Sequence, residues 1–336
     1  MERNEPSIAL LWDTFTGYQR TAVLKAAIEL DVCTHIAAGA TTIAALAPRC
    51  HASPRGLRPL LDHLVMDGFL TRHGERYGLS ATAAAFLDRG SPGYVGSAIN
   101  FIASPMILDG FNRLSDAVRL GGTAVPSNGV MAPEHPVWVE FAQAMAPLAG
   151  MTAMLLANLL DIEHAPPWKI LDVAAGHGMF GITLARLNPG VQITALDWRN
   201  VLAVAEEHAR VAGVSPRFHT LCGSAFDVPF GDDCDLVLVP NFLHHFDPSH
   251  CERLLAKARA ALAPGGRVVI VDFVPNDDRS GPPDAVRFAL VMLAGTSGGD
   301  AYTFAEYQAM LRAAGFSTAT LHELEPSPAR VVIAAR

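Results

Sequence analysis

The chain has 336 residues, half of them hydrophobic and 17% charged, with a formal net charge of −8 at pH 7. That length suits two domains with sizeable cores and excludes a disordered chain, while the acidic balance argues against coating nucleic acid and favours a neutral or small organic partner. The five cysteines, Cys33, Cys50, Cys222, Cys234 and Cys251, form no C-x-x-C pair or Cys/His cluster, so neither zinc nor a disulfide framework is expected.

The first residues, "MERNEPSIALLWD", carry acids where a secretory leader carries basic residues, so a cytoplasmic location is expected. From Ile8 to about Phe101 the pattern is helical, and Val23, Leu24, Ala27, Ile28, Val32 and Ile36 make one apolar face. A helix, a turn and a second helix follow: Thr41 or Thr42 caps the first, Ser53 with Pro54 starts the second, and Gly68 ends it. "FLTRHGERYGLS" reads as a two-stranded wing turning at His73 and Gly74, which completes a winged helix over residues 1–101. DNA binding would use Arg55 and Arg58, but about nine basic residues are balanced by about nine acidic ones in this region. A packing and dimerisation module is the preferred reading.

Residues 91–135 are rich in Gly, Pro and Ser, as connecting helices and turns are. A long helix is predicted at about Trp138 to Leu160, where Gln143, Pro147, Thr152 and Asn158 interrupt the apolar run, so burial is favoured over a membrane span. Residues 102–164 thus read as a helical linker with pocket helices. Beyond Lys169, apolar runs ("KILDVA", "QITALD", "FHTLCG", "CDLVLVPN", "RVVIVDFV", "TATLHEL", "RVVIAAR") alternate with amphipathic helices, except before the last run. This predicts, over 165–336, an α/β doubly wound, mostly parallel seven-stranded sheet ending in an antiparallel hairpin, with the site at the strands' C-terminal ends.

The first of these strands runs into "ILDVAAGHGMFG", a G-x-G-x-x-G spacing from Gly176 with Asp197 about twenty residues later, as in a dinucleotide fingerprint. A pyrophosphate loop normally follows an apolar strand, whereas Asp172 stands four residues before Gly176. That carboxylate repels a pyrophosphate and favours a sulfonium with an ammonium group, which points to S-adenosylmethionine. Asp197 would accept both ribose hydroxyls, Trp198 would face the adenine, and Ser224, Ala225 and Phe226 of "GSAFD" would meet its edge and ring. Ala174, Gly176, Gly178 and Asn241 complete the expected cofactor contacts; Gly181 needs only close helix packing.

"ILDVAAGHG", "ITALDW", "GSAFDVPF", "NFLHHFD" and "ALAPGGRVVIVDFV" resemble the successive motifs of class I S-adenosylmethionine-dependent methyltransferases. With the winged helix, the whole chain resembles the small-molecule O-methyltransferases of secondary metabolism. The resemblance implies S-adenosyl-L-methionine as cofactor, S-adenosyl-L-homocysteine as product, and a homodimer through the N-terminal domain, with the segment of Trp12, Phe15 and Tyr18 serving the partner's pocket. It also implies a histidine base in a segment similar to "LHDW", here His244, with His245 in place of the usual acid and in contact with substrate. A family glutamate in a segment similar to "GGKERT" is replaced by Ala301 of "GGDAYT", leaving Asp300 beside it; a second orienting glutamate has no counterpart identified. Phe141, Met145, Met151, Phe288 and Met292 lie on helices that wall the acceptor site in that family, which suits an aromatic acceptor. "VPNDDRSGPP" is expected to be a mobile rim. N- or C-methylation on the same fold, an NAD-dependent oxidoreductase and a winged-helix ligand-sensing regulator are the alternative readings.

Overall fold

The computed structural model describes residues 6–125 and 134–336, and the chain divides into two units, one ending at Ala103 and one beginning at Ser104. In the first, helices Ile8–Thr16, Tyr18–Glu29, Val32–Ala37, Ile43–Arg49 and Pro54–Met66 precede strands β1 (Leu70–His73) and β2 (Arg76–Leu79). Both helix starts form as read: the Thr42 side chain accepts the Ala45 N–H and that of Ser53 accepts the Gly56 N–H. Each satisfies a donor that the first helical turn cannot. The wing pairs antiparallel, Leu70 opposite Leu79, and turns through Gly74 at φ +62°. Leu46, Leu57, Leu61, Leu64, Leu70 and Tyr77 form its core. Helix Ile8–Thr16 buries none of its residues; Trp12 is 68% and Phe15 66% exposed.

The second unit carries seven strands, β3 (Lys169–Val173), β4 (Gln192–Asp197), β5 (Phe218–Cys222), β6 (Cys234–Pro240), β7 (Leu262–Asp272), β8 (Thr318–Glu323) and β9 (Arg330–Ala335). Their order across the sheet is β5-β4-β3-β6-β7-β9-β8; the first five are parallel and β9 is antiparallel to both its neighbours. The sheet is thus the mostly parallel one with a terminal antiparallel hairpin that the strand pattern predicts. Strand β7 starts earlier than "RVVIVDFV" suggested, because Leu262 already pairs with Cys234 before the register shifts. Of the connecting segment 91–135, residues 126–133 lie outside the described residues.

Strand alternation sorts side chains between two cores. Ile170, Leu236, Leu238, Val269 and Val271 face one side, covered by helices Pro136–Leu159, Met179–Leu187 and Arg199–Val211. Leu171, Val173, Val237, Val239, Val268 and Ile270 face the other, covered by helices Pro248–Ala261 and Phe304–Ala313. By the same parity Asp172 points to the first layer and Asp272 to the second. Helix Pro136–Leu159 is long and apolar enough to cross a membrane, but it packs on the helices Met179–Leu187 and Arg199–Val211, and its Ala153, Leu156 and Ala157 enter the first core.

Candidate active site

The strand order reverses between β3 and β6, and a crevice opens outside the carboxyl ends of such neighbours. Both strands leave the sheet through a non-glycine residue in the left-handed region, Ala174 at φ +53° and Asn241 at φ +51°. Such backbone costs free energy and collects at functional sites. A cavity of about 440 Å³ sits here. Its wall includes Ala174, Gly176 and His177 after β3, Asp197 and Trp198 after β4, Ser224, Ala225 and Phe226 after β5, and Asn241, Phe242 and His245 after β6.

The glycine loop is tied to the acid of the next strand. Asp197 accepts the Gly176 N–H (2.8 Å) through one oxygen and the Trp198 N–H (2.7 Å) through the other. Burial pushes its carboxyl up to about 6 against those two bonds. Ser224 accepts the Phe226 N–H (3.2 Å) and so shapes the β5 turn. Phe226 packs edge-on against Phe246 (4.9 Å) and His250 (5.8 Å), with the Arg253 guanidinium 5.8 Å from its ring centre.

Asp172 stands off the cavity wall. Expected to hold the methionine end, it is fully buried and spends one oxygen on the Gly181 N–H (3.1 Å). Its other oxygen has no partner among the described residues, and burial pushes the carboxyl up to about 7. Its position within β3, facing the helix layer, is the physical reason. Gly178 also stays off the wall: at φ +72°, a Cβ there would come 2.9 Å from the Ala205 Cβ. Gly181 has the packing role expected, since a Cβ would come 2.8 Å from the Ile193 Cγ2.

His244 is buried behind the cavity-lining His245, their rings 4.3 Å apart, with Phe288 packed edge-on at 4.8 Å. Its Nδ1 lies 2.7 Å from Asp272 Oδ1, which also accepts the Phe273 N–H; Asp272 Oδ2 accepts the Tyr307 hydroxyl at 2.8 Å. Asp272 is thus the acid that meets His244, signalled in the sequence only by an acid ending the apolar run "RVVIVD". His245 stands edge-on to Trp138 at 5.4 Å, and burial, with His244 beside it, holds its imidazole well below the usual range.

Other expectations divide. Phe141 lines the cavity; Met145 and Met292 do not, the latter being core at 5% exposure. Asp300 is engaged by Arg279 (3.1 Å) and by the Ala301 N–H, and so does not replace the missing glutamate at His244. The "VPNDDRSGPP" rim has long-range anchors: Arg279 reaches Asp300, Glu306 and the Ala301 carbonyl, and Asp277 accepts the Ala305 N–H. Phe15 belongs to the first unit, where it is exposed. Missed by the sequence reading were Asp272, Tyr307, His177 and Trp138; a histidine between two glycines was the available sign for the third. Among the described residues no group of His, Cys, Asp or Glu could hold a metal ion.

The wall suits the cofactor inferred from the sequence. It presents a buried carboxylate for a ribose diol, rings for a purine, and at Gly176 a bare backbone where a Cβ would already touch the Phe141 ring at 3.6 Å. Residues 113–317 match the model of the O-methyltransferase domain, and residues 12–89 that of the O-methyltransferase dimerisation domain. The chain is 34% identical to the 3-hydroxy-5-methyl-1-naphthoate 3-O-methyltransferase of Streptomyces sahachiroi, over 92% of this chain and 89% of that protein. A crystal structure from Nostoc punctiforme superposes with a TM-score of 0.93 at 51% identity, covering 99% of this chain and 100% of that one. Human N-acetylserotonin methyltransferase in complex with S-adenosylmethionine does so with a TM-score of 0.87 at 25% identity, covering 100% and 99%. These matches displace the oxidoreductase and regulator readings. The chain belongs to the O-methyltransferase family and is an S-adenosylmethionine-dependent methyltransferase.

Proposed function

We propose that the chain methylates a hydroxyl group of a small aromatic acceptor, with His244 as general base, and that it works as a cytoplasmic homodimer joined through its N-terminal unit. The observation that carries this reading is the buried pair of His244 Nδ1 and Asp272 Oδ1 at 2.7 Å. A phenol has a pKa of about 10, so at neutral pH its proton needs an acceptor as the oxygen attacks. Asp272 holds the proton of His244 on Nδ1, which leaves the lone pair of Nε2 for the hydroxyl proton.

When bound, S-adenosylmethionine supplies a methyl group made electrophilic by its positive sulfur. Asp197 would accept the ribose hydroxyls, and Trp198 with Ser224, Ala225 and Phe226 would flank the adenine, while Ala174, Gly176 and Asn241 bring backbone close. Trp138, Phe141 and His245 offer ring faces and edges to an aromatic acceptor. The relatives named above act on a hydroxynaphthoate and on N-acetylserotonin, which favours the same class here. The exposed Trp12, Phe15 and Tyr18 are the surface offered to a second copy.

The test is transfer from methyl-labelled cofactor to a panel of hydroxy, amino and carbon-acid aromatics, with product atoms assigned by NMR. Label is expected on oxygen, and His244→Ala is expected to lower turnover by about a hundredfold or more with affinity for S-adenosylhomocysteine unchanged. Label on nitrogen or carbon, or wild-type turnover in His244→Ala, would overturn the reading.

A further inference from the structure

We propose that His177 binds the carboxylate at the methionine end of the cofactor by donating its Nε2–H. The sheet supplies the direction. Strands β5, β4 and β3 stand side by side and present Ser224 to Phe226, Asp197, and Ala174 to His177 to one cavity. With adenine at the β5 turn and ribose at Asp197, the amino-acid end falls at the β3 loop.

That loop has already used most of its backbone donors internally. The Ala175 N–H goes to the Leu196 carbonyl, the Gly176 N–H to Asp197, and the Gly178 N–H to the Ala175 carbonyl. A phosphate-binding loop would leave such groups pointing at the ligand. Among the side chains that the loop brings to the cavity, Ala174, Ala175 and Gly176 have no donor for an incoming carboxylate.

His177 does. Its Nδ1 accepts the Met179 N–H at 3.1 Å, which puts the proton of the neutral ring on Nε2, and among the described residues no hydrogen bond reaches Nε2. The ring lines the cavity yet is only 4% exposed, stacked on Phe141 at 6.0 Å and against Phe180 at 6.1 Å, so its direction is fixed. Burial, with His208 nearby, lowers its pKa to about 3. A neutral donor meets the carboxylate without setting a positive charge beside the ligand's own sulfonium and ammonium groups, as lysine or arginine would.

The variant His177→Asn keeps an oxygen to accept the Met179 N–H but lacks the distal donor, so the cap is preserved while the ligand contact is removed. Titration calorimetry with S-adenosylhomocysteine and with 5′-methylthioadenosine, which has no carboxylate, separates the two roles. The variant is expected to bind the first about tenfold more weakly and the second within about twofold of the wild type. Equal losses for both ligands, or no loss for either, would overturn the proposal. If the variant does not fold, the wild-type chain carries the test: the His177 Nε2–H resonance is expected to shift with S-adenosylhomocysteine and not with 5′-methylthioadenosine, and the same shift with both would refute it. The proposal rests on the ribose lying at Asp197, which Asp197→Asn checks separately. That variant should weaken both ligands; if it weakens neither, the placement and the proposal fail together, whatever the acceptor chemistry.

Discussion

His244 and Asp272 are bonded at 2.7 Å with side chains 4% and 1% exposed, and Tyr307 closes the other carboxylate oxygen. Neither acid oxygen is left for water. For Asp272→Asn, kcat is expected to fall by about a hundredfold or more, since the amide no longer holds the His244 proton on Nδ1. Calorimetry with S-adenosylhomocysteine should show an unchanged Kd.

Tyr307 is a positioning residue for that pair. Burial and Asp272 push its phenol well above the usual range, so it donates at all working pH values. Removing it in Tyr307→Phe frees one Asp272 oxygen and loosens the hold on His244, so kcat should fall by about tenfold, the size of one charge-assisted hydrogen bond, with the Kd for S-adenosylhomocysteine unchanged. A merely structural tyrosine would lower the Tm and leave kcat in place.

Asp172 gives a stability prediction with the opposite sign to a salt-bridged acid. Its folded carboxyl titrates at about 7, against about 3.9 in an unfolded chain, so between those values the folded state holds the extra proton. This contribution is fully present below about pH 4 and is lost as pH rises through about 7. Asp172→Asn, which can still accept the Gly181 N–H, should be more stable than wild type at pH 8, by up to a few kcal/mol, and the gap should close towards pH 4. Denaturant melts at the two pH values read the difference; an equal gap at both would contradict the assignment.

Gly181→Ala places a methyl 2.8 Å from the Ile193 Cγ2 and 3.1 Å from Asp172 Oδ2. The overpacked variant should lose about 1–3 kcal/mol in chemical denaturation. Gly295→Ala, where nothing lies within 4 Å, is the control and should be neutral or slightly stabilising.

The sheet was legible because each strand is a short apolar run and each face of a parallel sheet is buried, so the residues themselves mark the strands. The acid at the end of β4 was legible too, since Asp197 follows a strand and precedes a helix. The layer that Asp172 enters was not legible from its distance to the loop, because alternation along β3, which turns it to the helices, sets the face. Asp272 and Tyr307 escaped because they are 35 residues apart and meet only when helix Phe304–Ala313 packs under β7. The anchors of the rim around Arg279, Asp300 and Glu306, were not legible either, because they lie 21 and 27 residues on.

Strand β9 lies between β7 and β8 and pairs with β7 along its length, Arg330 opposite Asp272. A nascent chain interrupted before residue 330 would thus carry the acid of the candidate site on an unpaired sheet edge, with its polar backbone open to other chains. Pairing of β9 is what removes that edge, so products shortened before it should be the ones that aggregate or meet chaperones.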